Sequence, residues 1–208
     1  MLRYAVKRMG RPREHDERTR EALVAAAERL VADGGPAALS VRAVADAAGT
    51  TTRAVYSVFG SKDGLVDALA ARAFTYLGEG LAGLPETGDP AADLVEAGAR
   101  MYRRFVREHP SLFRIAFQRV VPAFDLSPEL VELRGRVWGQ LEAKVGRLRD
   151  AGQLDGRSVT EAAVEFNAMC EGLANAELRG DTLRTDVDAE RTWRDAFELV
   201  VRGFRPAA

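Results

Sequence analysis

The chain has 208 residues, 47% of them hydrophobic and 29% charged, which is enough for one medium domain with a sizeable core, or a small module plus a larger one. A net charge of −1 argues neither for nor against a nucleic-acid partner, whereas the single cysteine, Cys170, excludes an intramolecular disulfide, and no Cys/His cluster has zinc spacing. No apolar run approaches the ~18 residues needed to cross a bilayer, and the N-terminus lacks the apolar segment of a secretory signal, so the expectation is a soluble cytoplasmic protein without metal or cofactor.

Charge is unevenly distributed. Residues 1–64 carry 11 Lys/Arg against 8 Asp/Glu, and residues 65–208 carry 19 against 23. Arg3, Lys7, Arg8, Arg11 and Arg13 form a basic arm (residues 1–14) with no acidic neighbour up to Arg13. Such an arm suits phosphates or a minor groove, or is simply a solubilising tail.

Helical periodicity then runs along the chain. Leu23, Ala26, Ala27, Leu30 and Val31 recur at helix spacing, and Gly34-Gly35-Pro36 stops that first helix. Ser40 is a good N-cap for a second, about 41–48, and Thr50 to Thr52 lead into a third, about 52–59. Ser61 caps a fourth carrying Leu65, Leu69, Phe74 and Leu77, and Asp89-Pro90 opens a fifth that runs to about Glu108. Pro110 separates a short sixth helix, Ser127-Pro128 opens a long seventh ending near Gly152, and Ser158-Val159-Thr160-Glu161 is a capping box for the eighth. The ninth is expected from about Asp186 to Arg202. No period-two run of β-branched residues persists, so the fold class is all-α.

Residues 39–65 are the most informative stretch. Ala45 provides a small side chain where two helices cross, Gly49 supplies a turn with positive φ, and Val44, Ala48, Val55 and Val58 fall on inward faces. This is the pattern of a helix-turn-helix, whose second helix enters the major groove. Thr51, Thr52, Arg53 and Ser57 would then face outward, with Arg53 able to pair bidentately with guanine and threonine able to meet a thymine methyl. Arg42 could reach a base edge or a phosphate. Thr19, Ser40, Tyr56 and Lys62 offer hydroxyls or charge at phosphate range. Ser40 and Ser61 also read as plain caps, and Tyr56 as a half-buried core ring.

These residues resemble the TetR family of transcriptional regulators. Ala45-Asp46-Ala47-Ala48-Gly49 is similar to the family's A-x-x-A-G, and Val55-Tyr56-Ser57-Val58-Phe59-Gly60-Ser61-Lys62-Asp63-Gly64-Leu65 to its L-Y-x-H-F-x-S-K-E-x-L. The resemblance implies a nine-helix, two-domain architecture, with a reading head over residues 15–62 and a helical ligand-binding and dimerisation domain over 63–208. It also implies phosphate contacts from Thr19, Ser40, Tyr56 and Lys62, and proximity of Arg42, Thr52 and Arg53 to bases. Val58 stands where the family often has a DNA-touching His or Tyr, so that contact is expected to be absent. Gly64 replaces a better helix former, at an expected cost near ~1 kcal/mol. The second half is more weakly similar to a C-terminal subgroup named for a Trp-His-Gly signature, with Glu171 in the place of its His.

The family resemblance implies a homodimer formed by the last two helices. Ala162, Ala163, Ala168, Gly172 and Ala176 would allow close approach, and Trp193, Phe197 and Val200 form an apolar stripe. Met101, Tyr102, Phe105, Phe113, Phe117, Phe124, Trp138, Phe166 and Met169 are core by default, or line a pocket for an apolar or aromatic effector, with His109, Asn167 and Cys170 as polar contacts. Gly135 and Gly139, a G-x-x-x-G on the seventh helix, read as close packing. Two histidines, one cysteine and no nucleophile elbow leave no catalytic constellation, so no enzyme is expected. The function that follows is a ligand-responsive repressor on a near-palindromic duplex operator. The alternatives are an activator on the same fold, or a sequence-tolerant architectural DNA binder.

Overall fold

The computed structural model describes residues 13–118, 126–180 and 188–205, with side chains from Glu17 onward. Among the described residues every regular element is helical, as the periodicity predicts. The helices are α1 (Arg13–Gly34), α2 (Val41–Ala47), α3 (Thr52–Phe59), α4 (Lys62–Gly83), α5 (90–108), α6 (Pro110–Phe117), α7 (Pro128–Asp150), α8 (Val159–Arg179) and α9 (Ala189–Gly203). Two compact units result, Met1–Ala68 and Leu69–Ala208.

In the first unit α1, α2 and α3 pack on one another around Leu23, Ala26, Ala27, Val31, Leu39, Val44, Ala45 and Val55, none more than 1% exposed. Ser40 caps α2 by accepting the Ala43 N–H at 3.1 Å, an arrangement worth about 1 kcal/mol. At the other end of α2, Thr50 N–H donates to Ala45 O (2.9 Å) and Gly49 N–H to Asp46 O (3.1 Å). This is a Schellman stop, and its αL position is Gly49 at φ +65°, where a Cβ would be strained. The turn expected from sequence is therefore in place.

Gly64 has a different meaning from the one its sequence position suggests. Ser61 caps α4 by accepting the Gly64 N–H at 3.0 Å, which folds the chain so tightly that a Cβ on Gly64 would overlap the Phe59 carbonyl oxygen. The glycine is what lets α3 pass into α4, so the lost helix propensity is a requirement of the turn.

The second unit holds α5 to α9. Asp89 caps α5 through the Ala91 and Ala92 N–H groups (3.0 and 3.1 Å), and Ser158 and Glu161 complete the capping box of α8. Within α5 the segment Ala97–Tyr102 is π-helical. Within it Gly98 lies against Phe197 of α9, where a Cβ would overlap the ring. Arg103 of α5 forks onto Glu177 of α8 through Nε and Nη2 at 3.0–3.3 Å, with both side chains less than one-fifth exposed.

Asp93 of α5 is buried yet satisfied. It accepts from the Thr87 N–H (2.8 Å), the Thr87 hydroxyl (2.6 Å) and Arg147 of α7. Burial raises its pKa, but the hydrogen bonds from Thr87 and Arg147 outweigh burial and leave it below the usual carboxylate value. A depressed native pKa means stability that is present above the unfolded value and lost as pH falls through the native one. Asp93→Asn is expected to cost about 2 kcal/mol at neutral pH, with the deficit shrinking as pH falls below about 4. Melting temperatures of both proteins across an acid series check this.

Candidate functional site: nucleic-acid interface and cavity

Helix α3 has two unlike faces. Val55 is fully buried against α1 and α2, while Thr52, Arg53, Tyr56 and Ser57, spaced to fall on one side, are exposed. Tyr56 is 53% exposed and so is no core ring. The helix contains no carboxylate, and its solvent face offers one guanidinium and three hydroxyls. Thr51 is the N-cap, accepting the Ala54 N–H at 3.2 Å, so one of its lone pairs already serves the helix. Its hydroxyl hydrogen stays available as a donor. Arg20 of α1 lies over the Phe59 ring at 5.1 Å and ties α1 to the end of α3.

Arg42 is exposed on α2 and, among the described residues, makes a long surface pair with Asp46 at 4.0 Å, a contact of little energetic weight. Lys62 is exposed at the start of α4, Ser40 is exposed at the start of α2, and Thr19 is half-buried on α1. Val58, half-buried, presents no polar group. Arg8 and Arg11 lie outside the described residues, as does the side chain of Arg13.

The second unit contains a cavity of about 460 Å³. Of the residues expected at a pocket, Met101, Tyr102, Phe117, Trp138, Phe166, Asn167 and Cys170 line it. The others are elsewhere. Phe113 is fully buried and stacks on Phe117 with centroids 5.3 Å apart, and Phe105 is core. His109 stacks on Tyr76 at 4.1 Å, Met169 faces the outer surface of α8, and Phe124 lies outside the described residues. Helix periodicity alone cannot separate a ring that touches a void from one that touches another ring.

The sequence reading missed the cavity's second wall, Phe74, Leu77 and Leu81 of α4, together with Arg134 and Glu171. The helical spacing of Phe74 and Leu77 marks an apolar stripe on α4 but does not tell whether it faces a cavity. Gly135, expected to mark close packing, is exposed at the cavity rim, and Gly139 has no neighbour near its absent Cβ, so among the described residues neither glycine serves a helix contact.

One stretch of the wall is polar. Glu171 Oε1 accepts the Asn167 Nδ2–H at 2.8 Å. The Tyr102 hydroxyl, on the π-helical segment, is buried and has no hydrogen-bond partner among the described residues. Burial, then Cys170 and Glu171, pushes the phenol well above its ordinary pKa, and burial followed by Glu171 does the same to the Cys170 thiol. Both therefore stay protonated at neutral pH. A buried polar atom with no partner is uncommon, and π segments are frequent at functional sites.

The last two helices carry a third feature. Trp193 and Phe197 are fully buried, with Phe197 against Phe166 (centroids 4.8 Å) and over Gly98. They pack α9 into the interior of the chain rather than forming an outer stripe; Ala162 and Ala163 are likewise inside. The outward apolar surface is instead Val164 (52% exposed), Ala168, Met169, Gly172, Leu199 (63% exposed) and the half-buried Val200, with Ala176 half-buried nearby on α8.

Comparisons agree with this anatomy. Residues 23–69 match the model of bacterial regulatory proteins of the tetR family, and residues 95–200, just over half the chain, match a tetracyclin repressor-like C-terminal domain. An HTH-type transcriptional regulator of Mycobacterium tuberculosis, Rv1816, is 29% identical over 95% of this chain and 74% of its own length. A protein of unknown function from Rhodococcus sp. RHA1 shares the fold at a TM-score of 0.77 and 23% identity, over 90% of this chain and 95% of that one. The TetR family regulator PfmR from Thermus thermophilus aligns at a TM-score of 0.64 and 26% identity, over 88% of this chain and 99% of that one. With its exposed α3 face, its Gly49 turn and a family match across both units, the chain belongs to the TetR family of DNA-binding transcriptional regulators.

Proposed function

We propose that this regulator is a cytoplasmic homodimeric repressor that binds a near-palindromic duplex operator and is released by a small apolar or aromatic effector. The observation that carries the reading is the carboxylate-free, exposed face of α3, backed by a capped and glycine-stopped α2. In this reading Arg53, Thr52, Thr51, Ser57 and Arg42 meet base edges. Tyr56, Lys62, Ser40 and Thr19 hold phosphates, and Arg8, Arg11 and Arg13 reach an adjacent minor groove. The Ser40 oxygen accepts from the helix while its hydroxyl hydrogen is free to donate to phosphate.

One head contacts too few base pairs for selective binding in a genome, so two must act together. The outward apolar surface of α8 and α9 is the part of the chain suited to a second copy. Effector response follows from α4. This helix starts at Lys62, beside α3, and carries Phe74, Leu77 and Leu81 into the cavity wall. A ligand that favours one position of α4 changes the spacing of the paired heads, provided it binds that state more tightly.

Arg53→Ala is expected to lose ~1–3 kcal/mol on the best site and to relax choice at the base pairs it reads. Selection of bound duplexes from a random pool, run with both proteins, checks it; an unchanged preference would reject Arg53 as a base reader.

A further inference from the structure

The cavity's chemistry is more specific than apolar. Its body is aromatic and aliphatic, from Phe74, Phe117, Trp138 and Phe166 to Leu77, Leu81 and Leu141. Against this stands the half-buried carboxylate of Glu171, and among the described residues its side chain has the neutral Asn167 amide as its hydrogen-bond partner, with no cation paired to it. Three other buried or half-buried carboxylates in this unit meet a cation, Asp93 with Arg147, Glu177 with Arg103 and Glu96 with Arg194, whereas Glu142 accepts from the Thr160 hydroxyl. Near Glu171, the buried Tyr102 hydroxyl has no hydrogen-bond partner among the described residues. Arg134, the cation on the lining, is exposed and lies over the Phe74 ring at 5.7 Å, so solvent and the ring already occupy it.

A negative charge in a site walled by π faces is complementary to one ligand class. Ring faces attract cations, and a carboxylate left without a counter-ion in a partly desolvated site is stabilised by one. We infer that the cavity takes a lipophilic ammonium ion, whose N–H groups donate to Glu171 and to the Tyr102 oxygen while its hydrocarbon body lies among the rings of α4, α6, α7 and α8. A hydrophobic carboxylate would instead place two like charges together. A neutral alcohol would leave the Glu171 charge uncompensated. The inference rests on the proposed effector role of this cavity. It also gives meaning to the departure at position 171, where the Trp-His-Gly subgroup has histidine.

The test uses the full-length protein and a matched probe set, phenylbutylamine, phenylbutanol and phenylbutyrate, followed by calorimetry and by the emission of Trp138, which lines the cavity. The expected order is amine above alcohol above carboxylate. Glu171→Gln should weaken the amine roughly tenfold or more and leave the alcohol within a few-fold, and Tyr102→Phe should weaken the amine by less. A wild-type preference for the alcohol or the carboxylate would overturn the inference, as would amine binding indifferent to Glu171→Gln. If that variant does not fold, the wild-type ranking decides the matter alone. Operator release is scored separately. Amine binding without release removes the effector role and keeps the site, whereas release by the alcohol but not the amine keeps the role and removes the ammonium.

Discussion

Leu199→Glu is expected to turn the proposed dimer into a folded monomer and to abolish tight operator binding. Leu199 is 63% exposed on α9, so within one chain the change costs little, inside the ~0.5 kcal/mol usual for surface sites. Across the proposed interface it sets a carboxylate from each copy into the apolar surface that holds Val164, Ala168 and Val200. Self-pairing there is isologous, so one substitution acts twice. Once the heads separate, the second half-site no longer benefits from a high effective concentration, and affinity for the full operator should fall by about 10²–10⁴. Light scattering, mobility shift and circular dichroism together check the result. Unchanged helicity with monomer mass and lost binding is expected, and a dimer with wild-type affinity would move the interface elsewhere.

Gly98→Val carries the largest expected loss of stability, about 3 kcal/mol, which is a fall of roughly 6–12 °C in Tm for a chain of this size. The added side chain would meet the far end of the Phe197 ring, and that ring has nowhere to go. It is fully buried, with Phe166 at 4.8 Å and Trp193 at 6.1 Å between centroids. Shortening the obstacle should restore part of the loss. Gly98→Val combined with Phe197→Leu is expected to be less destabilised than the two changes added separately, because they share one space. Strict additivity in a thermal melt would mean that the ring and the glycine do not meet.

What could be read in advance differs sharply along the chain. The helix starts at Ser40, Ser61, Asp89 and Ser158 were legible because capping is local, a side-chain oxygen and an N–H two or three residues on. The Gly49 stop was legible for the same reason. The π-helical turn at Ala97–Tyr102 was not, since nothing in Ala-Gly-Ala-Arg-Met-Tyr distinguishes it from an ordinary helix, and Phe197, against which Gly98 packs, lies about a hundred residues away. The stripe on α9 shows the same limit. Period 3.6 revealed that Trp193 and Phe197 face an apolar neighbour, but whether that neighbour is the same chain or a second copy is a tertiary fact. Gly64 is the reverse case, a residue that local propensity scores as a defect and a tight turn makes necessary.

The exposed face of α3 and Glu171 illustrate the two halves of functional legibility. Thr52, Arg53, Tyr56 and Ser57 could be placed outward from the positions of Val55 and Val58, because a short helix with one buried face has only one other. Glu171 stands out in the sequence only as a departure from a signature, whereas its place on the cavity lining and its bond to Asn167 are tertiary facts.

The central claim is that paired copies of α3 read adjacent half-sites. Repeated selection of bound duplexes from a random pool at physiological salt tests it most directly. The account predicts recovery of an inverted repeat whose half-site centres lie about one helical turn, ~34–36 Å, apart. Recovery of a lone unpaired motif, or of no enriched sequence at all, would contradict it.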